Sequence, residues 1–186
     1  MFAGVSFALA AGAALILRGP NGAGKSSLLR LLAGLLEPAA GVLSWDGRPV
    51  RDDPAAHRGR LHLIGHGNAL KSALTVRENL RFAIALSGVP ATGIGRALES
   101  FDLAALGDVP SLYLSAGQRR RLALARLLAA PRPLWLLDEP DAGLDAASRE
   151  RLAGAIAGHR AQGGIAVIAT HGDVGVRAPH VLELGA

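Results

Sequence analysis

The sequence predicts an α/β domain with a mostly parallel sheet core and an inserted helical subdomain at about residues 71–130. Three observations predict it. Apolar runs of strand length alternate with segments whose apolar residues recur at helical spacing. A glycine-rich turn, Gly19 to Ser27, joins an early strand to the first helix. The chain has 186 residues, half of them hydrophobic, enough for a single core without disulfides.

In chain order, Val5 to Leu9 reads as a short strand and Leu15 to Leu17 as a buried one, with a turn around Gly12 between them. Leu28, Leu29, Leu31, Leu32, Leu35 and Leu36 lie at helical spacing and predict a helix ending near Glu37-Pro38. Gly41 to Trp45 reads as a strand with a turn at Asp46-Gly47, and Leu61 to Ile64 as another strand. Thr75 and Glu78 make a capping-box pattern that opens a helix through about Ser87. A Gly/Pro loop at 88–95 leads to a helix over Ile94 to Leu103, and Leu106 to Tyr113 is irregular. Ser115 caps a long helix over Ala116 to Ala130, which Pro131 and Pro133 stop. Leu134 to Leu137, Ile165 to Ala169 and Val181 to Leu184 are strands, and Ala146 to His159 is an amphipathic helix.

Composition removes several function classes. Charged residues are 19% and mean hydropathy is +0.30, which excludes a disordered chain. There is no cysteine, so a thiolate metal site and a cysteine nucleophile are excluded. Net charge is +5; Lys25 and Lys71 are the only lysines, the other cations being arginine. Aromatic content of 4% argues against stacking on single-stranded nucleic acid, so no nucleic-acid partner is expected. The first seventeen residues carry no charge, yet no basic segment precedes them and Gly4, Ser6 and Gly12 interrupt them. They also fall short of the ~20 strongly apolar residues a membrane span needs. The chain is expected to be soluble or peripheral at a membrane.

Gly19-Pro20-Asn21-Gly22-Ala23-Gly24-Lys25-Ser26 fits G-x-x-x-x-G-K-[ST], with Ser27 following. Given this composition, roughly 0.002 such matches arise by chance. Glycines let the main-chain N–H groups turn inward onto a phosphate, and the helix start adds its positive dipole end. The loop is therefore expected to bind a nucleoside triphosphate with Mg²⁺, Lys25 bridging β- and γ-phosphates and Ser26 holding the metal. Downstream, an apolar strand ends in Asp138-Glu139. Neighbours on a strand point to opposite faces, so the two carboxylates should take different tasks. One would serve the metal and the other would act as general base toward the terminal phosphate.

Leu114-Ser115-Ala116-Gly117-Gln118 resembles the signature of ATP-binding cassette (ABC) ATPases, a family of P-loop NTPases. Asp138-Glu139-Pro140, Ala142-Gly143-Leu144-Asp145 and Thr170-His171 resemble, in family order, its Walker B segment, D-loop and switch histidine. The resemblance covers essentially the whole chain. It implies an ABC-type nucleotide-binding domain whose homodimer, formed on ATP binding, sandwiches two nucleotides. Ser115, Ala116, Gly117 and Gln118 would act in trans, Asp138 would serve the metal, Glu139 would polarise the attacking water, and His171 would contact the γ-phosphate. Asp145 belongs to the D-loop. The run Arg119-Arg120-Arg121 is expected to lie largely on a solvated helix face.

A narrower resemblance lies in Leu63-Ile64-Gly65-His66, Leu70-Lys71, Leu74-Thr75 and Glu78-Asn79-Leu80, together with Arg132 to Pro140 and Gly163-Gly164 before Thr170-His171-Gly172. These are similar to the CcmA family, the ATP-binding subunits of haem exporters in cytochrome c biogenesis. That resemblance implies ATP hydrolysis coupled to transport, a membrane-spanning partner subunit (CcmB-like), and a peripheral place on the cytoplasmic side of the cell inner membrane. The segment around His66, where ABC proteins usually carry Gln, would face that partner. The rival expectations are an ATPase subunit of another ABC exporter, a soluble non-transport ABC ATPase, or a non-catalytic nucleotide-binding protein.

Several positions depart from the family pattern. Ala116 stands for a usual Gly and Ser27 for a usual Thr, and Asp141 adds a negative charge beside the two carboxylates. Only eighteen residues precede Gly19, where relatives carry a further strand and an aromatic residue that stacks on adenine. The expectation is a truncated N-terminal β subdomain and poor selection between ATP and GTP.

Overall fold

A computed structural model describes residues 3–88 and 93–185. Its main sheet joins β1 (Ala14–Arg18), β4 (Leu61–Ile64), β5 (Leu134–Asp138), β6 (Ile165–Ala169) and β7 (His180–Glu183). The order is β4-β5-β6-β1-β7 and every pairing is parallel. The antiparallel pair β2 (Ser44–Trp45) and β3 (Arg48–Pro49) forms a separate hairpin. Its two turn residues, Asp46 at φ 48° and Gly47 at φ 74°, have the positive angles that a tight hairpin requires.

Strand alternation splits the core into two layers. Ile16, Trp135, Leu137 and Ile168 face one side, against α3 (Val76–Ser87), α4 (Ile94–Ser100), α5 (Ala116–Ala129) and α6 (Ala146–Ala161). Leu15, Leu17, Leu136 and Val167 face the other, against Leu28, Leu29 and Leu32 of α1 (Lys25–Leu32). Such a doubly covered parallel sheet places ligands beyond the carboxyl ends of its strands. That is where β1 hands the chain to the glycine-rich turn and where β5 and β6 deliver Asp138 and Thr170.

Three sequence expectations change. Val5 to Leu9 is not a strand; the edge strand β7 pairs with β1, and no described strand pairs with this segment. Helix α1 stops at Leu32 because Gly34, at φ 67°, takes the left-handed conformation. Gly34 N–H then bonds Leu31 O and Leu35 N–H bonds Arg30 O, which closes the helix in a Schellman motif and leaves Leu35 and Leu36 exposed. Helix α4 ends at Ser100 for the same reason, with Asp102 at φ 54° and Leu103 N–H bonding Leu98 O. The helix α2 (Pro54–Gly59) escaped the periodicity reading, although Asp53 as cap and Pro54 at the first position announce it. Residues 89–92 of the expected Gly/Pro loop lie outside the described residues. Among the described residues no helix is long and apolar enough to cross a membrane.

Candidate functional site

The glycine-rich turn is held by its own glycines and by β7. Gly19, Gly22 and Gly24 have φ of 137°, 84° and 99°. A Cβ on Gly19 would sit 2.2 Å from Leu184 O, so only glycine fits there. Gly24 caps α1 and supplies no side-chain hydrogen bond, so this helix N-terminus is left without a side-chain cap. Lys25 is buried, and its Nζ donates to Gly19 O at 2.7 Å and Pro20 O at 3.1 Å.

A cavity of about 330 Å³ opens beside this turn, lined by Asn21, Gly22, Gly24, Lys25, Ser26, Ser27, His66, Asp138 and Glu139. Both carboxylates therefore reach one cavity rather than opposite faces. The reason is local: β5 ends at Asp138, and Glu139 takes φ 45°, so strand alternation ceases there. Glu139 N–H donates to Ala169 O at 2.8 Å, which pins the turn to β6. His171 does not line this cavity but contacts three residues that do. Its Nε2 lies 3.1 Å from Lys25 Nζ, 3.0 Å from Asn21 Oδ1 and 3.7 Å from Glu139 Oε1. Bonding to the ammonium needs a bare Nε2 and bonding to Asn21 needs a protonated one, so the imidazole can satisfy only one of them at a time.

Ser115, Ala116, Gly117 and Gln118 are not among the lining residues of this cavity. They form the start of α5, where Ser115 Oγ accepts from Gln118 N–H at 3.2 Å and Gln118 Oε1 accepts from Ser115 N–H at 2.7 Å. Gly117 lies against the loop before α6, the position of a Cβ falling 3.4 Å from Gly143 O. Asp145 caps α6 by accepting from Ser148 N–H at 2.8 Å, and hydrogen bonding from the Ser148 hydroxyl, with that N–H, holds its carboxyl below its ordinary pKa.

The ABC transporter family profile matches residues 2–142. The chain belongs to the ABC transporter family. Within it, the chain is 56% identical to the Rhodospirillum rubrum cytochrome c biogenesis ATP-binding export protein CcmA, across 99% of this chain and 79% of that one. It is 53% identical to the Paramagnetospirillum magneticum protein of the same name, across 99% and 87%. It is therefore a member of the CcmA group, an ABC ATPase subunit. A solved ATP-binding subunit of an ABC transporter superposes with a TM-score of 0.82 at 28% identity, over 90% of this chain and 71% of that one. A solved ATP-binding cassette in dimeric, post-hydrolysis form, bound to ADP and Pi, matches with a TM-score of 0.81. Its identity is 24% over 93% of this chain and 81% of that one, which bears on the fold alone.

The structure changes the reading of two features of this ABC ATPase. The arginine run is not a solvated face. Successive helical residues point about 100° apart, so three in a row cannot share one side of a packed helix. Arg119 bonds Leu114 O, Arg121 bonds Asp102 Oδ2 at 2.8 Å, and Arg120 is buried behind the Glu139 turn. Asp141 is the other. Its Oδ1 accepts from Thr170 Oγ1 at 3.0 Å, and Thr170 Oγ1 in turn accepts from Gly172 N–H at 3.0 Å, so the bonds straddle His171. An Asp where Thr or Ser is usual was the available signal; no local signal marked Arg120.

Proposed function

We propose that this chain binds Mg-ATP in the cavity beside Lys25 and hydrolyses it as the peripheral subunit of a haem-exporting ABC complex of cytochrome c biogenesis. It would act on the cytoplasmic side of the inner membrane, against a CcmB-like membrane-spanning subunit. The observation that carries the chemistry is the convergence of His171 on Lys25 and Glu139, which line one wall of that cavity. The N-terminus of α1, with no side-chain cap and no acidic residue in its first turn, suits a polyphosphate. The Ser26 hydroxyl and Asp138 carboxylate share the cavity and form the oxygen donor set that Mg²⁺ prefers. They would hold the ion, which neutralises phosphate charge when bound.

The residues divide the work as follows. Main-chain N–H groups of Gly19 to Ser27 hold the phosphates, and Lys25 turns from its carbonyl partners to the β- and γ-oxygens. Glu139 takes a proton from water as the water oxygen bonds the γ-phosphorus. The bond from that phosphorus to the bridging oxygen breaks, and ADP and phosphate leave. His171 donates to a γ-phosphate oxygen. Ser115, Ala116, Gly117 and Gln118, absent from this wall, serve the nucleotide of a second copy, and the helical segment at about 71–130 with His66 meets the membrane subunit.

Two measurements test this reading. Calorimetry with Mg-ATP on the folded chain should show saturable heat, and phosphate release should appear with the membrane subunit present. A folded chain that shows neither overturns it. Recovery from membranes with a multi-span protein and a haem-handling protein supports the cargo; recovery with a different transporter refutes haem.

A further inference from the structure

We propose that Arg120 is a positioning residue for hydrolysis, fixing the turn that presents Glu139 and tying it to the loop that carries His66. The inference rests on Glu139 being the base. Arg120 is 5% exposed and sits between two segments distant from it in sequence, 65–68 and 138–140. Its guanidinium has five N–H donors, and each has an acceptor. Nη2 donates to Asp138 O at 2.9 Å and Glu139 O at 2.6 Å, and Nε donates to Pro140 O at 3.2 Å. Nη1 donates to Gly65 O at 2.9 Å and Asn68 Oδ1 at 3.3 Å.

The geometry says what this set of bonds does. Three consecutive carbonyls, those of Asp138, Glu139 and Pro140, point at one planar cation. Glu139 stands among them at φ 45°, a conformation that costs a non-glycine residue of order 1–3 kcal/mol. Fixing the carbonyls on both sides of that residue fixes where its side chain leaves the backbone. The same cation holds Gly65 and Asn68, which bracket His66 across the cavity. All five acceptors are neutral, so the buried charge is held by dipoles, and burial lowers the pKa of the group while the charges of Asp138, Asp141 and Glu139 oppose that. Lysine offers three donors without the fork and glutamine two, so neither can reach all five acceptors. Arg120 also lies in the helix that Ser115 begins. A displacement of that helix, by a second copy or by the membrane subunit, would reach Glu139 and His66 through one side chain.

The test uses the full chain with its membrane subunit. Arg120→Gln should lower kcat about 100-fold, as ångström-scale misplacement of a catalytic group does. The calorimetric Mg-ATP affinity and KM should stay within about threefold. Arg120→Lys should lose about tenfold. Asn68→Ala should lose less, and that loss should vanish in the Arg120→Gln background, as a shared interaction requires. Hydrogen exchange should quicken at 65–68 and 138–141 and stay unchanged in α1. A folded Arg120→Gln chain with wild-type kcat, or one that loses affinity and turnover equally, overturns the proposal. If Arg120→Gln does not fold, unaltered turnover in Arg120→Lys overturns it. Wild-type hydrolysis by Glu139→Gln refutes instead the reading on which the proposal stands.

Discussion

The glycine-rich turn at 19–27 and the Glu139 turn face each other across one cavity but are built in opposite ways. The first is contiguous. Its glycines supply the positive φ values, and Lys25 finds two of its partners five and six residues away. The second has a positive φ at a glutamate, and its restraints come from afar. Ala169 O accepts from its N–H, Arg120 donates to three of its carbonyls, and Thr170 ties the adjacent Asp141. A contiguous turn keeps its shape through its own conformational preferences, whereas a strained glutamate keeps its shape only while its neighbours stay in place. Damage to the first should therefore appear as lost nucleotide affinity, and damage to the second as lost turnover.

Glu139→Gln is the largest test of that contrast. Removing the proposed general base should lower phosphate release about 10³-fold. Mg-ATP affinity by calorimetry should hold within about threefold; an equal loss in affinity would erase the distinction.

Acid offers a second test, directed at α5. His62 Nε2 bonds Ala130 O at the end of that helix, and burial pushes its pKa down to about 4 from the usual 6.5. The unfolded chain thus takes up a proton that the folded chain refuses. This stability is complete above about pH 6.5 and falls by about 3 kcal/mol as the pH drops to about 4. Denaturant midpoints across that range should show the slope, and His62→Asn should flatten it. Acid should also reduce turnover before affinity, because α5 carries Arg120.

Lys25→Ala addresses the contiguous side. Losing one charged hydrogen-bond donor to phosphate should weaken Mg-ATP binding by about 2 kcal/mol, roughly 30-fold. A variant that binds normally and fails only in turnover would place Lys25 with the second region. The smallest effect is expected from Thr170→Val, which removes the hydroxyl between Asp141 and Gly172. Turnover should drop about tenfold, with affinity unchanged, as read from kcat and calorimetry.

Legibility followed the same division. The capping boxes at Thr75 and Ser115, the strands β4, β5 and β6, and the turn at Asp46-Gly47 stand where short-range patterns put them. Val5 to Leu9 failed because a strand is made by its neighbour, and none pairs with it among the described residues. Helix α1 came out short because the apolar spacing through Leu36 outran a helix that Gly34 had already closed. At the site, the glycine-rich turn could be read from eight consecutive residues. The partners of Arg120 lie up to 55 positions away, and nothing in the arginine run distinguishes its middle member.

By itself the sequence determined the alternation of strands and helices, the glycine-rich turn and the family to which the chain belongs. These depend on interactions among residues a few positions apart, whose geometry a short window dictates. Tertiary structure alone decided that both carboxylates share one cavity, that His171 meets Lys25, and that Arg120 is buried against five acceptors. Each of those depends on where the parallel sheet brings the ends of β4, β5 and β6 together, and on a backbone angle at Glu139 that its own side chain does not favour.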